Sequence, residues 1–325
     1  MKQHYGNYPL YCGLFLSFLL CVVAVFGPAL APHDPMVKIE PLAVDGVRYG
    51  PYPLRPLGPL THPDYPLGVD LIGRDILSRL LWGVRPTLVL CIAVVATRIV
   101  VGVLLGGLAG WFGGRVAWLI DGLTTISLSV PLLAVSIAVL SALDISRGLG
   151  VFVVALTITA WCDTAALVKN RTQAVLHSPY IESARAIGQN SFGLFWRHVL
   201  PQLRPVLPVM IALELSSVTL LVAELGYLGF FIGGGYLYTY SIGNFDVNYV
   251  QTSGAPELGQ MLSQFFQQLY RTPWVPVFTG IIVFLMLIAF SLLGEGLRRR
   301  LDVTRPRRLR RWWLPRTVQP HSAEA

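Results

Sequence analysis

Apolar residues in this chain gather into long runs, not into the alternation of strands or the narrow stripe of a surface helix. Six runs carry few or no charges: about Leu10–Leu30, Pro86–Ala109, Ala117–Leu143, Leu149–Val168, Pro205–Phe230 and Trp274–Gly296. About 20 apolar residues suffice for a helix to cross a hydrocarbon core of roughly 30 Å. The pattern therefore predicts an all-α membrane protein of about six transmembrane helices. The first and last runs have clean edges, whereas prolines and polar residues blur those of the third to fifth. Three regions follow: 1–85 with an end, a first span and a loop; a 86–296 core; and a 297–325 tail.

Composition agrees with a membrane location. The chain is 54% hydrophobic and 13% charged, with mean hydropathy +0.60. A soluble domain averages about 25% charged residues, so too little polar surface exists here to cover a water-exposed globule. The first run also has a reading as a secretory leader, with Lys2 as its charged start and Ala29-Leu30-Ala31 as a cleavage site. The run is longer than the apolar stretch of such leaders and Pro32 would follow the cut, which favours a retained span. Cys12, Cys21, Cys91 and Cys162 all lie in apolar runs without CxxC spacing, so neither a disulfide framework nor a zinc site follows. The six histidines are scattered, and no metal site is expected.

Charge sets the expected orientation. With the N-terminus inside, the cytoplasmic pieces hold Lys2, Arg115, a middle loop with Lys169, Arg171, Arg185, Arg197 and Arg204, and the tail from Arg298 to Arg316. The outer pieces hold about half as many cations. The positive-inside rule then places both termini in the cytoplasm. Residues 31–85, rich in proline and carrying Asp34, Glu40, Asp45, Asp64, Asp70 and Asp75, read as a compact, largely irregular extracytoplasmic loop. The basic tail directly follows a span, so anionic lipid headgroups are its expected partner, not nucleic acid.

The middle loop carries the most specific pattern. Tyr180–Ile187 can form a short helix that Gly188, permissive of positive φ, ends or kinks. A second helix can start with Ser191 as its N-cap, with Phe192, Phe195, Trp196 and Val199 at helical spacing, and stop at Pro201. Such a helix–Gly–helix unit, held between two spans, offers a rigid knob to the cytosol. An ordinary interfacial loop has the same physics. The pattern resembles the EAA loop of ABC-importer permeases, with Glu182, Ser183, Ala184, Gly188, His198, Leu200 and Pro201 at its positions. Ser183 departs from the usual alanine and His198 from isoleucine. The ending Arg197–Pro201 resembles the peptide-transport branch.

Two further blocks are similar to the C-type subunit of dipeptide, oligopeptide and nickel permeases: Pro66–Arg85, and Leu292–Arg298 with Leu301-Asp302. Alone, each also reads as interfacial packing with locally paired charges. A Tyr-, Asn- and Gln-rich stretch between Gly233-Gly234-Gly235 and Pro256-Glu257-Leu258 departs from that family as an insertion, Gly226–Gly229 is a shortened motif, and Ala165-Ala166 stands where Ala-Arg is usual. The resemblance implies a translocation path for di- or oligopeptides, with nickel chelates as the alternative. It also implies a homologous second permease, two cytoplasmic ABC ATPase subunits that dock on the EAA-like loop, and an extracytoplasmic solute-binding protein.

No GxxxxGK[ST] loop occurs, so ATP and Mg are expected on separate chains, with no cofactor on this one. Ionisable residues inside spans are costly and usually functional. Arg98, Glu214 and Glu224 are candidates for the translocation path, with pairing to one another or to a partner as the alternative. Asp163 reads as lying near the inner end of its span. A proton-coupled secondary transporter would use such acids differently, and an intramembrane enzyme would need a His/Asp/Glu cluster that the sequence does not offer.

Overall fold

A computed structural model describes residues 7–51, 54–143, 148–158, 160–232, 236–242, 246–252 and 255–301. Lys2, Arg147, Gly233-Gly234-Gly235 and the tail from Asp302 onward lie outside them. Helix α1 spans Tyr8–Leu30, and a small hairpin, β1 (Leu42–Val44) with β2 (Val47–Tyr49), follows in the outer loop. Then come α2 (Ile76–Phe112), α3 (Gly114–Ser129), α4 (Leu132–Ala142), α5 (Leu149–Thr157) and α6 (Trp161–Leu176). The middle loop holds α7 (Pro179–Ala186), α8 (Ser191–Leu194), a π turn (Phe195–Val199) and α9 (Leu200–Leu203). The chain continues with α10 (Leu207–Tyr227), the hairpin β3 (Tyr236–Ile242) and β4 (Asp246–Thr252), α11 (Leu258–Leu262), α12 (Phe265–Arg271) and α13 (Trp274–Leu301).

Among the described residues four helices, α1, α2, α10 and α13, are each long and apolar enough to cross a membrane. The third and fourth apolar runs are interrupted. α3 and α4 bend by 91° and α5 and α6 by 51°, and six spans result only if each bent pair counts as one. The first bend has a local cause. Val130 precedes Pro131 and is extended (φ −114°, ψ 131°), as steric contact with a following proline ring requires.

α2 begins well before Pro86, at Ile76, so the Trp82–Arg85 stretch belongs to this helix and not to the outer loop. Asp75 caps the helix by accepting hydrogen bonds from the Leu77 and Ser78 N–H groups. Pro86 is tolerated inside the helix. At the next residue, the Thr87 hydroxyl donates to the Gly83 carbonyl and also accepts from Leu258 N–H. α2 is the shared axis of two apolar cores. Its outer half packs with α1, α11 and α13 around Ile76, Leu80, Leu258 and Met286, and its middle packs with α4, α5 and α10 around Leu90, Val94, Phe152 and Val218.

The inner half of α2 meets α6 through Gly102, Gly106 and Gly110, spaced one turn apart. A methyl group at Gly102 would meet the Thr164 side chain at 2.5 Å, and one at Gly106 would collide with the Ala165 backbone. Small residues at this spacing let membrane helices approach closely. α1 is equally embedded: Gly13 abuts the Leu292–Leu293 backbone of α13, and Gly296 abuts Leu10. This packing ties α1 to α13 along much of its length. The outer loop folds over a small core of Ile39, Leu57 and Val69, and Trp274 Nε1 donates to the Val69 carbonyl to dock it on α13.

Candidate coupling loop and membrane-embedded charges

The middle loop forms the predicted helix–Gly–helix unit, with two corrections. α7 ends as expected at Gly188, with φ of +81°. Gln189 N–H bonds back to the Ala184 carbonyl (3.1 Å), a C-terminal closure that requires the left-handed glycine. The second helix is capped by Asn190, not Ser191: Asn190 Oδ1 accepts from Gly193 N–H at 2.8 Å. Pro201 does not stop that helix. The π turn at Phe195–Val199 widens the backbone, and Pro201 sits in the first turn of α9, where no N–H is needed.

The motif residues divide by face. Ile181 and Ala184 of α7 are buried with Leu194 against Trp111 of α2 and Val175 and Leu176 of α6. Glu182 and Ser183 point outward, and Ile187 is 85% exposed at the tip. The Ser183 hydroxyl donates to the Pro179 carbonyl within α7 (3.1 Å). His198 Nε2 is hydrogen-bonded to Gln189 Oε1 at 3.1 Å, and its ring lies 6.0 Å from that of Tyr180, tying the second helix to the first. Leu200 and Pro201 are half-buried, between the buried Val199 and Leu203. The result is a braced platform that presents Glu182, Ser183 and Ile187 at its surface.

Of the embedded charges, Arg98 and Glu214 are brought together and Glu224 is not. The Arg98 guanidinium, 1% exposed, pairs with Glu214 at 2.8 Å and donates through Nε and a terminal nitrogen to the Leu156 carbonyl (3.0 and 2.6 Å). Leu156 lies at the broken end of α5, where carbonyls have lost their helical partners. Arg98 thus caps an interrupted helix from the neighbouring one. Glu224 instead borders an open cleft with Leu133, Tyr227 and Leu228, without an ion pair among the described residues. Asp163 occupies the first turn of α6, just past the break, and α6 runs on to Leu176.

The family profile described as "Binding-protein-dependent transport system inner membrane component" matches residues 102–304. The chain belongs to this family. It is an importer permease subunit of the inner membrane. The glutathione transport system permease protein GsiD of Pectobacterium atrosepticum is 30% identical over 93% of this chain and 88% of its own length. The di/tripeptide transport system permease protein DppC of Pseudomonas aeruginosa is 30% identical over 89% of this chain and 86% of its own. A solved structure of the MetNI methionine ABC transporter shares the fold, with a TM-score of 0.50 at 20% identity, covering 68% of this chain and 95% of that one.

The permease holds further polar groups that sequence reading passed over. Lys169 of α6 pairs with Asp121 of α3, pinning the two helices near the middle loop. At the outer side, Asp70 pairs with Arg74 at 2.7 Å and lies beside Arg79, which bonds Gln260 of α11. Burial alone would raise the Asp70 carboxyl, but the two guanidinium groups more than offset this and hold it below the usual range. Glu295 pairs locally with Arg298 and Arg299 (2.9 and 2.7 Å). Both blocks flanking the core therefore contain the locally paired charges that their spacing offered. Glu257 had no signal in the sequence. It is buried at the root of the β3–β4 hairpin, where Oε2 accepts from Ile232 N–H (2.8 Å) and Oε1 is buried with no partner. Burial pushes its carboxyl up to about 7.

Proposed function

We propose that this permease forms, with a homologous second permease, the path by which di- or oligopeptides enter the cytoplasm. The observation that carries the reading is the braced platform at residues 180–201, buried at Ile181 and Ala184 and open at Glu182 and Ile187. An exposed, rigid knob suits force transfer from a partner better than catalysis. Two cytoplasmic ATPase subunits, which bind ATP and Mg themselves, dock on that face. A push on α7 passes to α6 through Val175 and Leu176 and to α2 through Trp111. An extracytoplasmic solute-binding protein delivers the peptide on the side of the outer loop and the β3–β4 hairpin. Both termini are cytoplasmic, in keeping with the charge bias along the loops, and this chain hydrolyses nothing itself.

Peptides are favoured over nickel chelates because the similar permeases are named for dipeptides, di/tripeptides and glutathione. The test is solute-stimulated ATP hydrolysis by the reconstituted complex. Glu182→Lys and Gly188→Pro should abolish stimulation while the protein still inserts, since proline cannot adopt the positive φ at 188. Full stimulation by both variants would refute the coupling role. Uptake that collapses with an uncoupler but survives ATP depletion would favour a secondary transporter.

A further inference from the structure

Two helices of the apolar layer are interrupted, and both interruptions open onto one cleft. The cleft, about 190 Å³, is walled by Ser127 and Leu128 at the end of α3, Leu132 at the start of α4, and Ala160, Cys162 and Asp163 at the start of α6. Irregular backbone within a bilayer is tolerated only where protein covers it or it lines a cavity. Breaks of this kind place helix ends and unpaired backbone groups beside a solute.

The charged side chains around the cleft sum to a negative value, which the N-terminal end of α6, in whose first turn Asp163 lies, offsets only in part. Asp163 is exposed into it and makes no ion pair or hydrogen bond among the described residues. Arg98, the cation within its electrostatic reach, is committed to Glu214 and to the Leu156 carbonyl. The three charges leave one net negative charge, and the surrounding walls are mostly apolar. A carboxylate in low-dielectric walls focuses its field and concentrates counter-ions. An embedded, unpaired carboxylate is expensive in a membrane, and a cationic ligand would offset that cost. Ser127 Oγ, 3.2 Å from Cys162 Sγ, adds a hydroxyl that can accept a hydrogen bond from an ammonium group.

We infer that this cleft binds the cationic group of the transported solute, an ammonium in the case of a peptide, with Asp163 as its counter-charge and Ser127 as a hydrogen-bond partner. The inference rests on the importer reading, since it supplies that reading with a solute contact. Asp163 lies about 20 Å along α6 from the helix's end at the middle loop, as 1.5 Å per residue gives. A push on α7 therefore reaches the site through one continuous helix.

The test uses the complete transporter in membrane vesicles, with the four native cysteines replaced and Ser127→Cys as the only thiol of this chain. A cationic reagent, trimethylammonioethyl methanethiosulfonate, and an anionic one, sulfonatoethyl methanethiosulfonate, are compared, each rate referred to that on a small free thiol. The expected preference for the cation is about tenfold or more, falling to near one with Asp163→Asn. Ala160→Cys, on the opposite wall, repeats the measurement if Ser127→Cys does not assemble. Equal rates with Asp163 present, or exclusion of both reagents by a covering subunit, would overturn the inference. Dialanine uptake, measured with the unsubstituted complex, separates the two readings. A complex that keeps the preference without dialanine uptake refutes the peptide substrate alone, and uptake without the preference refutes the site alone.

Discussion

Replacing Arg98 with methionine tests whether the embedded charges are structural. The side chain is 1% exposed and serves two acceptors, Glu214 and the Leu156 carbonyl. Arg98→Met keeps a long apolar side chain but leaves Glu214 buried without a counter-charge, which costs about 3–5 kcal/mol for an interior pair. The orphaned carbonyl adds roughly 1–3 kcal/mol. Glu214 retains 18% of its side-chain exposure, so the lower end, about 4 kcal/mol in total, is the better expectation. That loss is a large share of a typical stability of about 5–15 kcal/mol. Cys91 is buried in the apolar core and serves as the reporter, since a thiol-reactive dye labels it only on unfolding. In a background with Cys12, Cys21 and Cys162 replaced, the apparent midpoint should fall by on the order of 10 °C. The double variant Arg98→Met/Glu214→Met removes the stranded carboxylate and should recover most of that fall. A single variant as stable as the parent, or a double variant no better than the single, would refute the pairing argument.

Glu257 gives a pH dependence with a definite sign. Burial raises its folded carboxyl from the ordinary 4.5 to about 7, so the folded state holds a proton that the unfolded state releases. Its stabilising contribution is full below about pH 4.5 and is lost as pH rises through about 7, a change of about 3 kcal/mol. Thermal unfolding between pH 5 and 8 should show this decline, and Glu257→Gln should flatten it; an equal slope in both would contradict the assignment. Gly106→Leu should prevent folding, because the side chain meets the α6 backbone, at a cost of several kcal/mol. A monodisperse, correctly inserted Gly106→Leu protein would show that α2 and α6 do not touch there.

The legible parts of the fold were those with one physical determinant. Leu10–Leu30 and Trp274–Gly296 are uninterrupted apolar runs, and their helices lie within a few residues of the expected edges. Gly188 announced its positive φ because no other residue suits it so well. Breaks within apolar runs were harder, because hydrophobicity continues through them. Val130-Pro131 did carry the signal, since a residue before proline avoids the helical region, but the run around it masked a right-angle turn. The break after Ile158 was masked in the same way. Pro86 misled in the opposite sense: it looked like a helix start and is an interior residue of α2. Pairing among the embedded charges was legible as an alternative, since such groups are costly alone, but which two meet was not, because Arg98 and Glu214 lie on helices far apart in the chain. The burial of Glu257 carried no signal at all, being produced by elements distant in sequence.

The most direct test of the central claim is photo-cross-linking from Ile187, the 85% exposed residue at the tip of the platform. A photoreactive amino acid at 187, irradiated in native membranes, should yield an adduct with a chain that carries a GxxxxGK[ST] loop, identified by mass spectrometry. Glu182→Lys should diminish that adduct. An adduct only with lipid, with an extracytoplasmic protein, or with a second copy of this chain would contradict the assignment of residues 180–201 as the site where an ATPase drives the permease.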